Sequence, residues 1–160
     1  MTDTQDIERK FWHAIRSDRT AMFWLEGTPG SKPMTVLVDG DADHGPFWLF
    51  TSKETEAVST LQPGDKASLA FSSKGHDVFA SVDGTVTIDN DRSVIDRLWN
   101  PFVAAWYKDG KDDPKLCLLR FDPTSAKVWI DASSLLAGVK ILFGSDPKTD
   151  FKDKVAEIPI

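Results

Sequence analysis

Few residues of this chain could do chemistry by themselves. The histidines His13, His44 and His76 are far apart and show no metal-ligand spacing. Asp39-Gly40-Asp41-Ala42-Asp43 starts like a calcium loop. The sixth position is then His44, where glycine is needed, and the twelfth is Phe50, where a bidentate glutamate is needed. A solvated hairpin loop is the better reading, and no metal site is expected. The one cysteine, Cys117, lies in the apolar run Leu116-Cys117-Leu118-Leu119 and reads as a small core residue rather than a nucleophile. No Gly-x-Ser-x-Gly elbow, phosphate-binding glycine loop or dinucleotide fingerprint occurs. Hydrolytic chemistry has no carrier. The remaining feature is a set of flat rings beside a polar loop. Trp99, Trp106 and Tyr107 flank Lys108-Asp109-Gly110-Lys111-Asp112-Asp113. Rings at a loop edge serve as a lid on a core, or they line the mouth of a pocket for a planar ligand.

Composition narrows the setting. With 160 residues, of which 41% are apolar, the chain suits one domain with one core, here taken as 1–160. No apolar run approaches 18 residues, so no membrane span is expected. The start Met1-Thr2-Asp3-Thr4-Gln5-Asp6 is acidic and polar, unlike a signal peptide. A lone cysteine forms no internal disulfide, and a cytoplasmic location is expected. The net charge of −6, with no basic stripe, argues against nucleic acid as a partner.

The elements that would position these residues follow from periodicity. Thr2 to Ser17 reads as an amphipathic helix, with Ile7, Phe11, Ala14 and Ile15 on one face and Thr2 and Gln5 as a capping box. Strands are expected at Thr20 to Glu26, Met34 to Asp39, Phe47 to Thr51, Lys66 to Ser72 and Val78 to Val82. Asp83-Gly84 makes a bulge or turn before Thr85 to Ile88, and Leu116 to Asp122 and Lys127 to Ile130 read as two further strands. Short helices are expected at Thr55 to Leu61 and Asp91 to Trp99, the second closed by Pro101. Val139 to Phe143 fits a strand or a helix end, and residues 146–160 read as a loose C-terminal tail. The fold class is mainly β with flanking helices: a small barrel with helices packed outside.

Two segments carry a resemblance. One is Phe47-Trp48-Leu49-Phe50-Thr51-Ser52-Lys53-Glu54-Thr55, a strand running into a Thr-Ser-Lys turn and a short helix. The other is Ala105-Trp106-Tyr107 with the Gly110-Lys111-Asp112-Asp113-Pro114 loop and, downstream, Val128-Trp129-Ile130-Asp131. Lys32-Pro33-Met34-Thr35 and Phe79-Ala80-Ser81-Val82-Asp83-Gly84-Thr85-Val86 fall in matching order between them. Together, over roughly residues 5 to 135, they resemble the general stress protein 26 family of the pyridoxamine 5′-phosphate oxidase-like, FMN-binding split barrels.

The resemblance implies a six-stranded split barrel, a homodimer, and FMN or FAD sites between the subunits. By its pattern, Met34, Thr35 and Val36 offer backbone groups to the flavin ring edge, and Phe50 and Thr51 sit against the ring. Ser52 and Lys53 lie near the ribityl chain or phosphate. Trp129 borders the flavin from the other subunit, and Trp106 lies near the cleft. As filler of core or interface, Trp106 and Trp129 fit equally well, and Trp12, Trp24 and Trp48 fit better. Where the oxidase carries an Arg-Lys pair for the phosphate, this chain has Glu56-Ala57. Phe79 replaces a tyrosine, and the tail lacks an arginine-rich end. A general stress flavoprotein that does not oxidise pyridoxine phosphate is therefore expected, with a flavin-dependent oxidoreductase activity or none. The alternatives are a flavin store or sensor, or a barrel holding another planar ligand such as haem or a deazaflavin.

Overall fold

The computed structural model describes residues 4–130 and 155–158. Helix α1 (Thr4–Asp18) buries Ile7, Phe11, Trp12, Ala14 and Ile15 on one face, as its period demands, with Trp12 added to the expected set. It stops at Arg19, whose backbone is left-handed (φ 62°) and whose N–H donates to the Ile15 carbonyl at 3.1 Å. Thr2 and its capping box lie outside the described residues.

The strands are β1 (Thr20–Leu25), β2 (Lys32–Thr35), β3 (Leu37–Val38), β4 (Phe47–Ser52), β5 (Asp65–Ser72), β6 (Val78–Ile88), β7 (Leu116–Ile130) and β8 (Val155–Ile158). They form one antiparallel sheet in the order β2-β1-β5-β6-β7-β4-β3, with β8 also paired to β7. The first and last strands of that order are consecutive in the chain and joined only by Val36, which is fully buried. A sheet whose two ends are one residue apart must curl until they meet, so the sheet closes on itself. With β2 and β3 taken as one strand broken at Val36, and β8 set aside, the barrel has the expected six strands.

β7 is one strand of 15 residues where two were expected. Pro123, inside it, faces the bulge at Asp83/Gly84, where the register shifts. On its other side β4 pairs only as far as Phe121 and β8 only from Ala126, so proline breaks no ladder there. Gly84 has its own requirement: a Cβ on it would sit 2.4 Å from the Asp122 backbone oxygen. The expected loose tail needs one correction. Val155–Ile158 pairs with Ala126–Trp129, and Ile158 is buried in the core. The segment Val139 to Phe143 lies outside the described residues.

Two apolar clusters share β4 and β7. Inside the barrel, Phe11, Trp12, Phe47 and Phe121 pack against Leu49, Leu69, Val82 and Cys117. Outside, α3 (Arg92–Leu98) and α4 (Pro101–Ala104) lay Val94, Ile95 and Val103, with Tyr107 from the segment after α4, on Trp48, Leu116 and Leu118. Period-two alternation thus explains why these strands are apolar on both faces. Pro101 begins α4 instead of merely closing the helix before it. Asn100 caps α4, accepting from Val103 N–H at 3.0 Å, and proline at the first helical position costs no hydrogen bond. Among the described residues, no helix is long and apolar enough to cross a membrane.

Candidate functional site

The expected site residues around the end of β4 divide by face. Thr51 points toward the barrel interior. Phe50 points outward, with its ring edge-on to Trp99 and Tyr107 at centroid distances of 6.0 and 6.3 Å. The side chains of Phe50 and Thr51 therefore cannot both press on one ligand ring from this strand. A compact turn follows. Thr55 Oγ1 donates to the Ser52 carbonyl at 3.0 Å and accepts from Val58 N–H at 3.3 Å, while Ser52 Oγ accepts from Glu54 N–H at 3.2 Å. Short hydroxyl side chains that bond their own backbone favour such a turn. Helix α2 (Glu56–Ser59) has only four residues, so it sums few peptide dipoles.

Met34 and Thr51, far apart in sequence, line one small apolar cavity at the end of the barrel, with Lys32, Ala57, Val86 and Leu119. Its volume is about 10 Å³, the scale of a single water, so no planar ligand fits inside this cavity. Such a ligand would have to lie on the open surface. β2 is an end strand there, and its Thr35 is exposed. Val36 offers less backbone than expected, because its N–H already donates to the Arg19 carbonyl at 2.6 Å.

Two lysines belong to the segments that meet here, and one of them lines the cavity. Lys53 is exposed and lies near enough to the buried Cys117 to favour its thiolate. Lys32, also exposed, lines the cavity beside Ala57. Neither lysine has an ion pair among the described residues. Glu56 faces solvent, and Ala57 is half-buried against the core. In the sequence Lys32 reads only as the opening of a strand. Its alternation partner across the barrel mouth could be found only once β2 was seen to run beside β4.

Trp106 and Trp129 are not neighbours of this cavity in the same way. Trp106 is 86% exposed, but the adjacent Tyr107 donates its O–H to the Thr51 carbonyl at 2.6 Å, tying that loop to the end of β4. Trp129 is half-buried on the outer sheet face opposite Phe79, with Lys127 Nζ 5.4 Å from its ring centroid. Cys117 is opposite Thr51 on β7, so Trp129 stands twelve residues, or roughly 40 Å of strand, away from it. Trp129 is not among the residues that line the cavity.

Burial raises the Cys117 thiol to about 11 and the Tyr107 hydroxyl to about 12. Both are neutral near pH 7, so neither serves as a ready nucleophile or base. Among the described residues no group of three or more His, Cys, Asp or Glu could hold a metal ion.

The pyridoxamine 5′-phosphate oxidase like family model matches residues 6–145. General stress protein 26 of Bacillus subtilis (strain 168) is 30% identical over 132 residues, covering 78% of this chain and 89% of that protein. The crystal structure of the general stress FMN/FAD binding protein from Xanthomonas citri superposes with a TM-score of 0.77 at 48% identity, over 82% of this chain and 93% of that one. General Stress Protein 26 from Bacillus anthracis str. Sterne, at 18% identity, shows the shared fold alone, with a TM-score of 0.65 over 78% of this chain and 94% of that one. The chain belongs to the pyridoxamine 5′-phosphate oxidase like family, among its general stress proteins, and its curled sheet is that family's split barrel.

Proposed function

We propose that this chain is a cytoplasmic general stress flavoprotein that binds FMN, or FAD, between the two copies of a homodimer. One observation carries the reading most directly. Met34, Thr51 and Lys32 gather at one end of the barrel, around a cavity too small for a ring system, with an exposed strand edge beside them. That arrangement fits a planar ligand lying across the surface and covered by a second copy. The family match and the FMN/FAD binding protein of Xanthomonas citri support the same ligand class.

The residues present fit a flavin in kind. Edge backbone at Met34 and Thr35 would orient the ring, and the Ser52–Thr55 turn would approach the ribityl chain. Lys32 and Lys53, neither in an ion pair among the described residues, would supply charge for its phosphate. Bound flavin would supply acceptance of a hydride or of single electrons, while the protein supplies position and electrostatics. Ala57 cannot take the role of the missing phosphate lysine without disturbing the core, since its methyl packs there.

The test is a titration of FMN with the protein, read as quenching of flavin fluorescence. Saturable quenching is expected. Lys32→Ala and Lys53→Ala should each weaken FMN by roughly 2- to 10-fold, the span of a partly exposed charge contact. Riboflavin, which has no phosphate, should be nearly unaffected by either change. Unchanged fluorescence at saturating protein removes the reading. Light scattering should give about twice 17.8 kDa, and a clean monomer would remove the shared site. Reduction by NADH or NADPH then separates an oxidoreductase from a store or sensor. Oxidation of pyridoxine 5′-phosphate is expected to be absent, because Glu56-Ala57 stands where the oxidase carries its Arg-Lys pair and the segment Asp150-Phe151-Lys152-Asp153-Lys154 carries no arginine for a second phosphate.

A further inference from the structure

The barrel closes at Val36, and beside that seam lies a groove of about 370 Å³, within the range of small-molecule sites. The end of α1 contributes Arg16 and Arg19, and the end of α3 contributes Arg97, Leu98 and Trp99. Asp41 is on the rim. Val36 and its two successors supply apolar floor. The groove shares no lining residue with the small cavity at Thr51.

Its three guanidinium groups are not equivalent. Arg97 is held by Asp39 through three contacts, Nε to Oδ1 at 3.0 Å, Nε to Oδ2 at 3.2 Å and Nη2 to Oδ2 at 2.7 Å. Arg16 is held by Asp43 (Nη1 to Oδ1, 3.1 Å) and by the Ala42 carbonyl, while its Nε is buried with no hydrogen-bond partner. Arg19 has no ion pair among the described residues. Its Nε donates to the Arg16 carbonyl at 3.2 Å, which leaves both terminal nitrogens without a hydrogen bond there. Arg19 also occupies the left-handed position that ends α1, with φ 62°, where glycine or asparagine is the favoured residue. An arginine kept in an unfavourable backbone conformation, with its donor fork unused at the edge of a groove, points from strain to function.

We infer that this groove binds a small monocarboxylate with a flat apolar body, with Arg19 reading the carboxylate and Leu98, Trp99 and Val36 enclosing the body. A planar guanidinium matches a carboxylate through two parallel N–H donors. Asp41 on the rim sets the charge limit: it repels a dianion more than a monoanion, so inorganic phosphate is a poor ligand. Because Val36 also ends the strand edge proposed to meet a flavin, a ligand here would lie beside that ring. The assignment does not depend on a flavin being bound.

The experiment uses the full chain without added flavin, so a failure to bind flavin leaves it intact. Benzoate is titrated by calorimetry and by tryptophan fluorescence, with benzamide as the neutral isostere and inorganic phosphate as the bare anion. Saturable benzoate binding is expected, with benzamide and phosphate each weaker by about tenfold or more. Arg19→Gly should abolish benzoate binding while leaving the melting temperature unchanged or raised, because glycine relieves the left-handed backbone. Asp41→Asn should tighten benzoate a few-fold and let phosphate bind. Absence of benzoate binding overturns the assignment. Benzamide binding as well as benzoate, or Arg19→Gly binding as well as the unmodified chain, overturns the role of Arg19. Phosphate binding as well as benzoate overturns the apolar half of the site.

Discussion

Phe47 and Phe50 lie three residues apart on β4. Phe47 is wholly buried, 4.9 Å from Trp12 and 6.1 Å from Phe121 between ring centroids. Phe50 is half-buried on the opposite face against Trp99 and Tyr107. The same residue type thus serves two clusters of different finish. The inner one is closed on all sides by α1 and the curled sheet. The outer one is a single layer of two short helices, and it ends in solvent at Phe102 (81% exposed) and Trp106 (86% exposed). The inner cluster holds the barrel. The outer one is placed to hold the end of β4, where the candidate flavin residues begin, through one hydrogen bond from Tyr107.

The largest expected effect belongs to the inner cluster. Phe47→Ala should cost about 3–5 kcal/mol, the lost transfer energy plus a cavity that the three neighbouring rings of Phe11, Trp12 and Phe121 cannot fill. Phe50→Ala should cost about 1–3 kcal/mol, since part of its surface already meets water. Urea titrations of both variants measure the difference. Equal losses would erase the distinction between closed and layered packing.

Both clusters were partly legible in the sequence, for different reasons. The spacing of Ile7, Phe11, Ala14 and Ile15 revealed the inner helix face because a 3.6-residue period repeats over 15 residues. The outer face was harder to read. Helix α4 is four residues long and starts at a proline, which reads equally well as a stop. β7 looked like two strands because Pro123 usually ends one, and the bulge that tolerates it is a property of the β6 pairing. Of the candidate site, the turn Ser52–Thr55 was readable from its hydroxyls. The approach of Lys32 to Thr51 was not, since it depends on closure of the barrel at Val36. The groove at Arg19 had no local signal at all: its three arginines come from two helices brought together by the fold.

A pH dependence sharpens the comparison next. Burial raises the Tyr107 hydroxyl from the ordinary 10.0 to about 12. The folded state therefore holds this proton more tightly than the unfolded chain does. The corresponding stability is fully present below pH 10 and is lost as pH rises from about 10 toward about 12. Tyr107→Phe should remove that contribution. It should also cost about 0.5–1.5 kcal/mol at neutral pH, the net value of the hydrogen bond to Thr51. Denaturant titrations at pH 7, 10 and 11 measure both effects. Part of the slope should survive in the phenylalanine variant, because burial also raises the Cys117 thiol from 9.0 to about 11; a slope identical to that of the unmodified chain would remove the Tyr107 contribution.

The smallest stability effect should come from Trp106, and for that reason it is the most informative about function. A side chain 86% exposed contributes little to packing, so Trp106→Ala should shift stability by no more than about 0.5 kcal/mol. If its ring borders a flavin, the same change should weaken FMN about 2- to 12-fold, which corresponds to an aromatic contact of about 0.5–1.5 kcal/mol. Riboflavin should weaken equally, because the contact is to the ring and not to the phosphate. That pattern is opposite to the one expected for Lys32 and Lys53. The two kinds of variant together would map which end of the ligand each region meets. A stability loss as large as that of Phe50→Ala would instead make Trp106 part of the outer layer. Unchanged FMN binding with unchanged stability would remove it from the flavin site.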